Sequence, residues 1–423
     1  MAAQVGALLR HFAFIAIGLS CISYTVAAGH AAEAPKPLLK QGSGVDWWFV
    51  FKFNGKVFPS CAQAAKRKCV FGGELQEYKN AGQQYAVASP GSALKKSPNL
   101  CVGSTTGDPV GATFDQVYKG KHFYVLWNDQ FYNDPDLPCH KGTACPAPFA
   151  HAKGMLAWNE DGEGFVMQVT TPNWPGSGNK KFPRERNGNT LGCITRDGDV
   201  SHNNILYSQH FFSLKLTKDD VLTVLDALQN AAVATDHDKD SEFREQVVNN
   251  GGPSDIQAKV DKLGVKSPSK IATKATLSTG VQVISKSAGL VVPPWQMVSA
   301  MLGGVSLRVA TWYSQSTIDD TPAGQKPECW DSTLATPGAV KNVKTGRFAG
   351  KSFGLFGGPA ANANHGKFGV STTGNLAIFG DMNQEGALDG NCKVKQNIRG
   401  GLFFVVEDAV VAKSLRTMMS GPN

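Results

Sequence analysis

The chain has 423 residues, enough for one large hydrophobic core or two moderate ones. Its formal net charge is +8 at pH 7, which favours anionic partners through long-range attraction but does not by itself select one. Beyond residue 32 no segment is long and apolar enough to span a bilayer as a helix.

In chain order, Arg10 is followed by a mostly apolar stretch from Phe12 to Ala28 and by small residues at Val26-Ala27-Ala28 and Gly29-His30-Ala31-Ala32. This is the layout of a secretory signal over residues 1–32, cleaved near Ala28 or Ala32, with an uncleaved anchor as the competing reading. Ser20, Ser23 and Thr25 weigh against the anchor, so no membrane association is expected after cleavage. The expected location is periplasmic or secreted, or lysosomal in a eukaryote, and such compartments let disulfides persist. Of nine cysteines, Cys21 leaves with the signal. Cys61, Cys69, Cys101, Cys139, Cys145, Cys193, Cys329 and Cys392 remain, with no C-x-x-C or Cys/His zinc spacing. Disulfides are therefore expected. Cys61/Cys69 and Cys139/Cys145 can close local loops, although spacing does not set the connectivity.

Val45 to Phe53 is rich in aromatic and β-branched residues and reads as a strand. Trp47 and Trp48 on it face opposite ways, so one is expected in the core. His122 to Trp127 is a second strand, broken by Asn128-Asp129. A hairpin follows from His151, with Asp161-Gly162-Glu163-Gly164 as its turn. The loop from Asn173 to Arg186 carries Lys180, Lys181, Arg184 and Arg186, read equally well as a solvated surface or as a track for a nucleic-acid backbone. Lys218 to Ala234 reads as an amphipathic helix, with Val221, Leu222, Val224, Leu225 and Leu228 forming its apolar stripe. Residues 235–257 are polar and broken by Asn249-Asn250-Gly251-Gly252-Pro253, which places the boundary between two halves here. A strand recurs at Leu307 to Tyr313, matching the opening strand, and Leu402 to Val406 supplies another. Phe356 and Gly357-Gly358-Pro359 shape the approach to His365, while His140, His202, His210 and His237 read as surface residues.

One motif occurs twice: His151-Ala152-Lys153 and His365-Gly366-Lys367 are both H-x-K. The first leads through two strand-like stretches to Asn173, the second through two more to Gly380-Asp381-Met382-Asn383. On a strand, residues i and i+2 share a face, so each motif presents an imidazole beside an ammonium. Brought together, the two make a cationic pocket suited to a phosphodiester. The lysines would neutralise nonbridging oxygens. One neutral histidine would attack phosphorus, while the other, protonated, would supply the leaving group's proton and then activate water. That chemistry requires no metal and no cofactor. The expected fold class is α/β (α+β), with two pseudo-symmetric halves, mixed sheets with flanking helices, and the active site at their interface. The halves are placed at 44–235 and 301–423, joined by a polar connecting region at 236–300.

The double H-x-K resembles the phospholipase D superfamily, whose usual word is H-x-K-x4-D followed by G-S-x-N. Trp158 and Thr372 stand where the acidic residue is expected, and Asp381 replaces the serine. That departure points to one branch, the deoxyribonuclease II family, which the chain resembles in ordered segments. These are Val45-Asp46-Trp47, Tyr124 to Gln130, His151 to Gly154, Thr171-Pro172-Asn173 with Pro175, Gly188 to Cys193, Asn364 to Lys367, and Gly380 to Asn383. The resemblance covers about residue 44 to about residue 400, but covers 220–300 and the cysteines before Cys193 poorly. It implies phospholipase D-like halves and an acid endonuclease that cleaves double-stranded DNA without divalent metal, leaving 3′-phosphate ends. His151, Lys153, His365 and Lys367 would be catalytic, with Asn173, Asn383 and Asp381 as helpers and His365 the preferred nucleophile. It also implies a disulfide between Cys329 and Cys392. Two other readings stay open: a phospholipase or other phosphodiesterase using the same pocket, and a noncatalytic polyanion-binding protein. A monomer can carry a complete site, and the sequence leaves the oligomeric state open.

Overall fold

Runs of aromatic and β-branched residues build two large sheets, because such side chains pack well on a pleated, buried surface. The computed structural model of the protein describes residues 33–58, 74–75, 84–97, 102–103, 105–118, 122–130, 145–172, 174, 193–194, 207–236, 247–313, 317–358, 360 and 362–421. The expected signal at 1–32, Asn173, the basic residues Lys180, Lys181, Arg184 and Arg186, Cys61, Cys69, Cys101 and Cys139, and His140, His202 and His237 lie outside the described residues.

The first sheet holds β1 (Trp47–Lys52), β2 (Tyr85–Ser89), β3 (Ser92–Lys96), β4 (Phe123–Asn128), β5 (Lys153–Trp158), β6 (Gly164–Val169), β7 (Gln209–Leu216) and β8 (Val248–Asn249). Their spatial order is β8-β4-β5-β6-β7-β1-β2-β3, with antiparallel pairing throughout. The second sheet holds β9 (Ala272–Thr276), β10 (Gln282–Lys286), β11 (Leu307–Ala310), β12 (Val340–Asn342), β13 (Phe368–Ser371), β14 (Leu376–Gly380) and β15 (Gly401–Glu407). Here the order is β9-β10-β15-β14-β13-β11-β12, and the β11–β12 pair is parallel. Five helices are described: α1 (Pro109–Tyr118), α2 (Lys218–Ala231), α3 (Ser254–Val260), α4 (Pro294–Met301) and α5 (Ala409–Met418). The fold is mixed α+β.

The first H-x-K hairpin forms as expected, with β5 paired to β6. Gly162 takes φ +86° in its turn, and Asn159 Oδ1 accepts the N–H groups of Asp161 and Glu163. The helix expected from Lys218 starts there because Thr217 and Asp220 cap it reciprocally, an arrangement worth about 1 kcal/mol. It stops at Ala232, which adopts a left-handed conformation. A ladder of phenylalanines joins the two sheets. Phe49 stacks on Phe379 with ring centroids 4.3 Å apart, Phe212 on Phe379 at 4.8 Å, and Phe51 meets Phe368 edge-on at 5.4 Å. Both Trp47 and Trp48 are buried, so the first sheet is covered on both faces and neither indole is available for stacking on a base.

Three readings are corrected. Residues 236–300 are not only a connector: β8 extends the edge of the first sheet, and β9 and β10 belong to the second. The sequence looked polar here because β9 is an edge strand, and exposed lysine and threonine suit such a strand. Second, the strand expected over Leu307 to Tyr313 ends at Ala310 and lies between β13 and β12 in the second sheet. Third, His210 is fully buried and packs against Phe49, Phe368 and Phe379.

Gly154, directly after the first motif, shows how tightly β5 is seated. A Cβ there would lie 2.4 Å from Met167 O and 2.6 Å from the Trp127 ring. Gly154→Ala is expected to destabilise the protein by about 1–3 kcal/mol through overpacking, seen as a lower urea midpoint with unchanged slope.

Candidate active site

Lys153 opens β5 and Lys367 immediately precedes β13, so each motif's histidine sits ahead of its strand and not within it. The expectation that each H-x-K lies on a strand is corrected accordingly, and the backbone supplies the reason. The His151 N–H donates to Gly400 O at 2.9 Å, just before β15, and the His365 N–H to Ser208 O at 2.8 Å, just before β7. Each histidine is thereby tied to the sheet that does not carry its own motif.

Around the first motif, β4 ends at Asn128, opposite Lys153, and the next residue is the buried Asp129. Lys153 Nζ donates to Asp129 Oδ1 at 2.6 Å, while Arg399 Nη2 donates to Oδ2 at 2.9 Å. Both carboxylate oxygens are thus held by cations, the strongest type of protein hydrogen bond. Burial alone would raise the Asp129 carboxyl, but Lys153, His151 and Arg399 together hold it far below the ordinary range. Arg399 also donates to the carbonyls of Cys145 (2.8 Å), Phe149 (3.1 Å) and Ala150 (2.9 Å), fastening the segment that enters His151. His151 Nδ1 donates to Gln396 Oε1 at 3.2 Å, which leaves the lone pair on Nε2. Burial, followed by the charge of Lys153, keeps this imidazole well below its ordinary pKa; Lys367 and Arg399 add to the effect and Asp129 opposes it.

The second motif is held differently. Lys367 Nζ donates to His365 O at 2.7 Å, and the Lys367 N–H donates to His210 Nδ1 at 3.0 Å. His210 therefore carries its proton on Nε2 and serves as a buried backbone acceptor. Burial and the neighbouring Lys367 keep it neutral. The His365 ring stacks on Tyr207 with centroids 4.6 Å apart and 10° between planes, and Trp312 meets it at 5.5 Å and 71°. Aromatic neighbours of this kind stabilise an imidazolium. Burial, then Lys153, lowers the Lys367 amine to about 7, with Asp129, Asp381 and Glu385 opposing.

Asp381 and Asn383 also lie at the site. Burial raises the Asp381 carboxyl to about 8, opposed by the Leu402 N–H on Oδ2 at 3.0 Å and by the charges of Lys153 and Lys367. Asn383 is buried; its Nδ2 donates to Glu385 Oε2 at 3.0 Å, and its Oδ1 has no hydrogen-bond partner among the described residues. The two motifs are electrostatic neighbours, since Lys367 acts on His151 and Lys153 acts on Lys367. Thus His151, Lys153, Lys367 and Asp381 form one cluster, to which His365 is joined through Lys367. Cys329 and Cys392 form the expected disulfide, with Cα atoms 5.3 Å apart. Cys145 is also disulfide-bonded, to a partner outside the described side chains.

Sequence reasoning missed Asp129, Gln396, Arg399, Tyr207 and Trp312. Asp129 had a signal: it follows a strand end and stands two positions after a buried tryptophan, where an acid needs a cation. The others sit beyond strand ends, and only the tertiary fold carries them to a histidine.

No curated protein sequence matches the chain. A family model, Deoxyribonuclease II, matches residues 36–422, nearly the whole length and including both H-x-K words. The chain belongs to the deoxyribonuclease II family.

Proposed function

We propose that the protein is an exported acid endodeoxyribonuclease that hydrolyses DNA phosphodiesters without divalent metal, through a phosphohistidine, to 3′-phosphate ends. The observation carrying this reading is the gathering of both H-x-K words around one buried cationic cluster. Lys153, Lys367 and Arg399 already supply the positive charge that a scissile phosphate requires, which is the role a metal would otherwise fill. The proposed site lies between two pseudo-symmetric halves. In support, the order β4-β5-β6-β7-β1 in one sheet is repeated as β11-β13-β14-β15-β10 in the other, and a helix follows the fourth strand of each set.

Attack is assigned to His151 and acid catalysis to His365, reversing the sequence-based preference. His151 Nε2 bonds to phosphorus as the P–O5′ bond breaks, and the His365 imidazolium gives its proton to that departing oxygen. His365 then takes a proton from water, whose oxygen displaces His151 and leaves the 3′-phosphate. Asn383 has its NH2 on Glu385 and its carbonyl unpaired, so it suits an N–H donor better than a phosphate oxygen. Lys180, Lys181, Arg184 and Arg186, with Asn173, are proposed to follow the DNA backbone, which makes binding salt-sensitive. One chain suffices for the site.

The test is supercoiled plasmid incubated with the protein in EDTA at acid and neutral pH. Nicking at acid pH, with 3′-phosphate ends resistant to end extension until dephosphorylated, is expected. Intact plasmid under all conditions, with choline released from phosphatidylcholine, would transfer the site to lipid substrates.

The ionisations also set the direction of the pH profile. Below about 7, Lys367 is charged. Below about 8, Asp381 is neutral and leaves the positive field intact. As pH rises, the cation is lost and the anion appears, so activity falls. Asp381→Asn removes the second event while keeping an oxygen for the Leu402 N–H. Because the Asp381 carboxylate also helps Lys367 keep its proton, the variant is expected to leave the acid rate unchanged and to move the alkaline limb to lower pH; an unchanged alkaline limb would count against a role for Asp381.

A further inference from the structure

Two lysines outside the motifs are fully buried, Lys52 and Lys286. Burying an ammonium is costly unless its donors are met, and burial lowers both amines to about 7. They occupy corresponding places. Lys52 ends β1 opposite Gln209, the first residue of β7; Lys286 ends β10 opposite Gly401, the first residue of β15. Both donate to backbone carbonyls of the segment that precedes the facing strand. Lys52 Nζ bonds to Tyr207 O, and Lys286 Nζ reaches Asn397 O (2.9 Å), Arg399 O (2.9 Å) and Ser287 O (3.3 Å). Three acceptors match the three donors of an ammonium, whereas a neutral amine would leave one carbonyl unmet.

The segments so held serve the histidines of the other sheet. Tyr207 stacks on the His365 ring, and Ser208 O takes the His365 N–H. In the other direction, Gln396 accepts from His151 Nδ1, Arg399 binds Asp129 and the chain entering His151, and Gly400 O takes the His151 N–H. We propose that Lys52 and Lys286 are a matched pair of positioning residues, Lys52 setting the His365 imidazole through Tyr207-Ser208 and Lys286 setting the His151 imidazole through Gln396 to Gly400. The coupling is crossed, because each lysine acts on the motif of the opposite sheet. Its catalytic meaning rests on the reading of His151 and His365 as the acting pair; its geometric content does not.

The test is 15N-histidine NMR of the full chain, with the two signals assigned from His151→Gln and His365→Gln spectra, in Lys52→Met and Lys286→Met variants. Lys286→Met is expected to move the His151 ring shifts and titration midpoint while leaving those of His365 in place. Lys52→Met should do the reverse. Each variant should also lower kcat for plasmid nicking by roughly tenfold to a hundredfold with KM within about twofold, since misplacing a reacting group by about 1 Å can cost that much. If a methionine variant does not fold, the glutamine variant, which keeps two N–H donors, replaces it under the same criterion. Movement of both histidines in both variants, or of neither, would overturn the proposal even if the unaltered protein nicks DNA. A protein that fails to nick but shows the crossed NMR pattern would instead overturn the nuclease reading and leave the crossed positioning standing.

Discussion

His151→Ala is expected to abolish cleavage of every phosphodiester, whereas His365→Ala is expected to lose plasmid nicking but keep activity on an activated ester. The distinction follows from what each ring touches. His151 has Nδ1 committed to Gln396 and a pKa held well below the ordinary value, so Nε2 retains its lone pair in acid. His365 is stacked on Tyr207 and meets Trp312 edge-to-face, and is the proposed proton donor. Removing a nucleophile leaves only binding and field effects, so a loss of about 10⁴-fold or more is expected for His151→Ala. General acid catalysis contributes about 10²–10⁴-fold, and that contribution is needed only when the leaving oxygen is a poor one. Thymidine 3′-(p-nitrophenyl phosphate) expels a stable phenolate without help. On this substrate His365→Ala should remain within about tenfold of the unaltered protein, while His151→Ala stays inactive. If both variants fail equally on the activated ester, or if His151→Ala is the one spared, the assignment of roles is wrong. Acid quenching adds a direct check: phosphorus-labelled protein should be trapped on histidine and absent from His151→Ala.

The motifs were legible because their chemistry is local. H-x-K places its two functional groups within three residues, and the hairpin after His151 is declared by Asp161 to Gly164, with the turn itself closing between Asn159 and Glu163, and Gly164 opening β6. The helix from Lys218 was equally plain, since its apolar stripe and its Thr217/Asp220 cap are both local. What the sequence hid was the set of groups that control the imidazoles. Gln396 and His151 are 245 positions apart, and Arg399 and Asp129 are 270 apart, so no window could show either pair. His210 was misread for a related reason. Ser208 and Gln209 before it are polar although Phe211 and Phe212 follow, and β7 turns it into the phenylalanine layer, where its Nδ1 meets a backbone N–H from the second motif. The strand at 272–276 escaped notice because an edge strand is polar by necessity.

Asp129 is the residue whose loss should cost the fold most. It has no exposure and binds two cations, Lys153 and Arg399, that come from different sheets' segments. Asp129→Asn keeps the shape but leaves both cations without a counter-charge in a buried place. Breaking a buried pair in this way costs about 3–5 kcal/mol. Stability against urea should fall by that amount at neutral pH. The pH dependence has a definite sign: a carboxyl depressed in the folded state contributes stability above its unfolded pKa, about 3.9, and loses it only as pH falls through the still lower folded value. The ion triad is therefore intact throughout the acid range in which the enzyme is proposed to work, and the stability gap between Asp129→Asn and the unaltered protein should narrow only below about pH 4. Pairing Asp129→Asn with Lys153→Met should cost less than the sum of the two single changes, because the second removes the charge that the first left stranded. Strict additivity in that cycle would mean that Lys153 and Asp129 do not depend on one another.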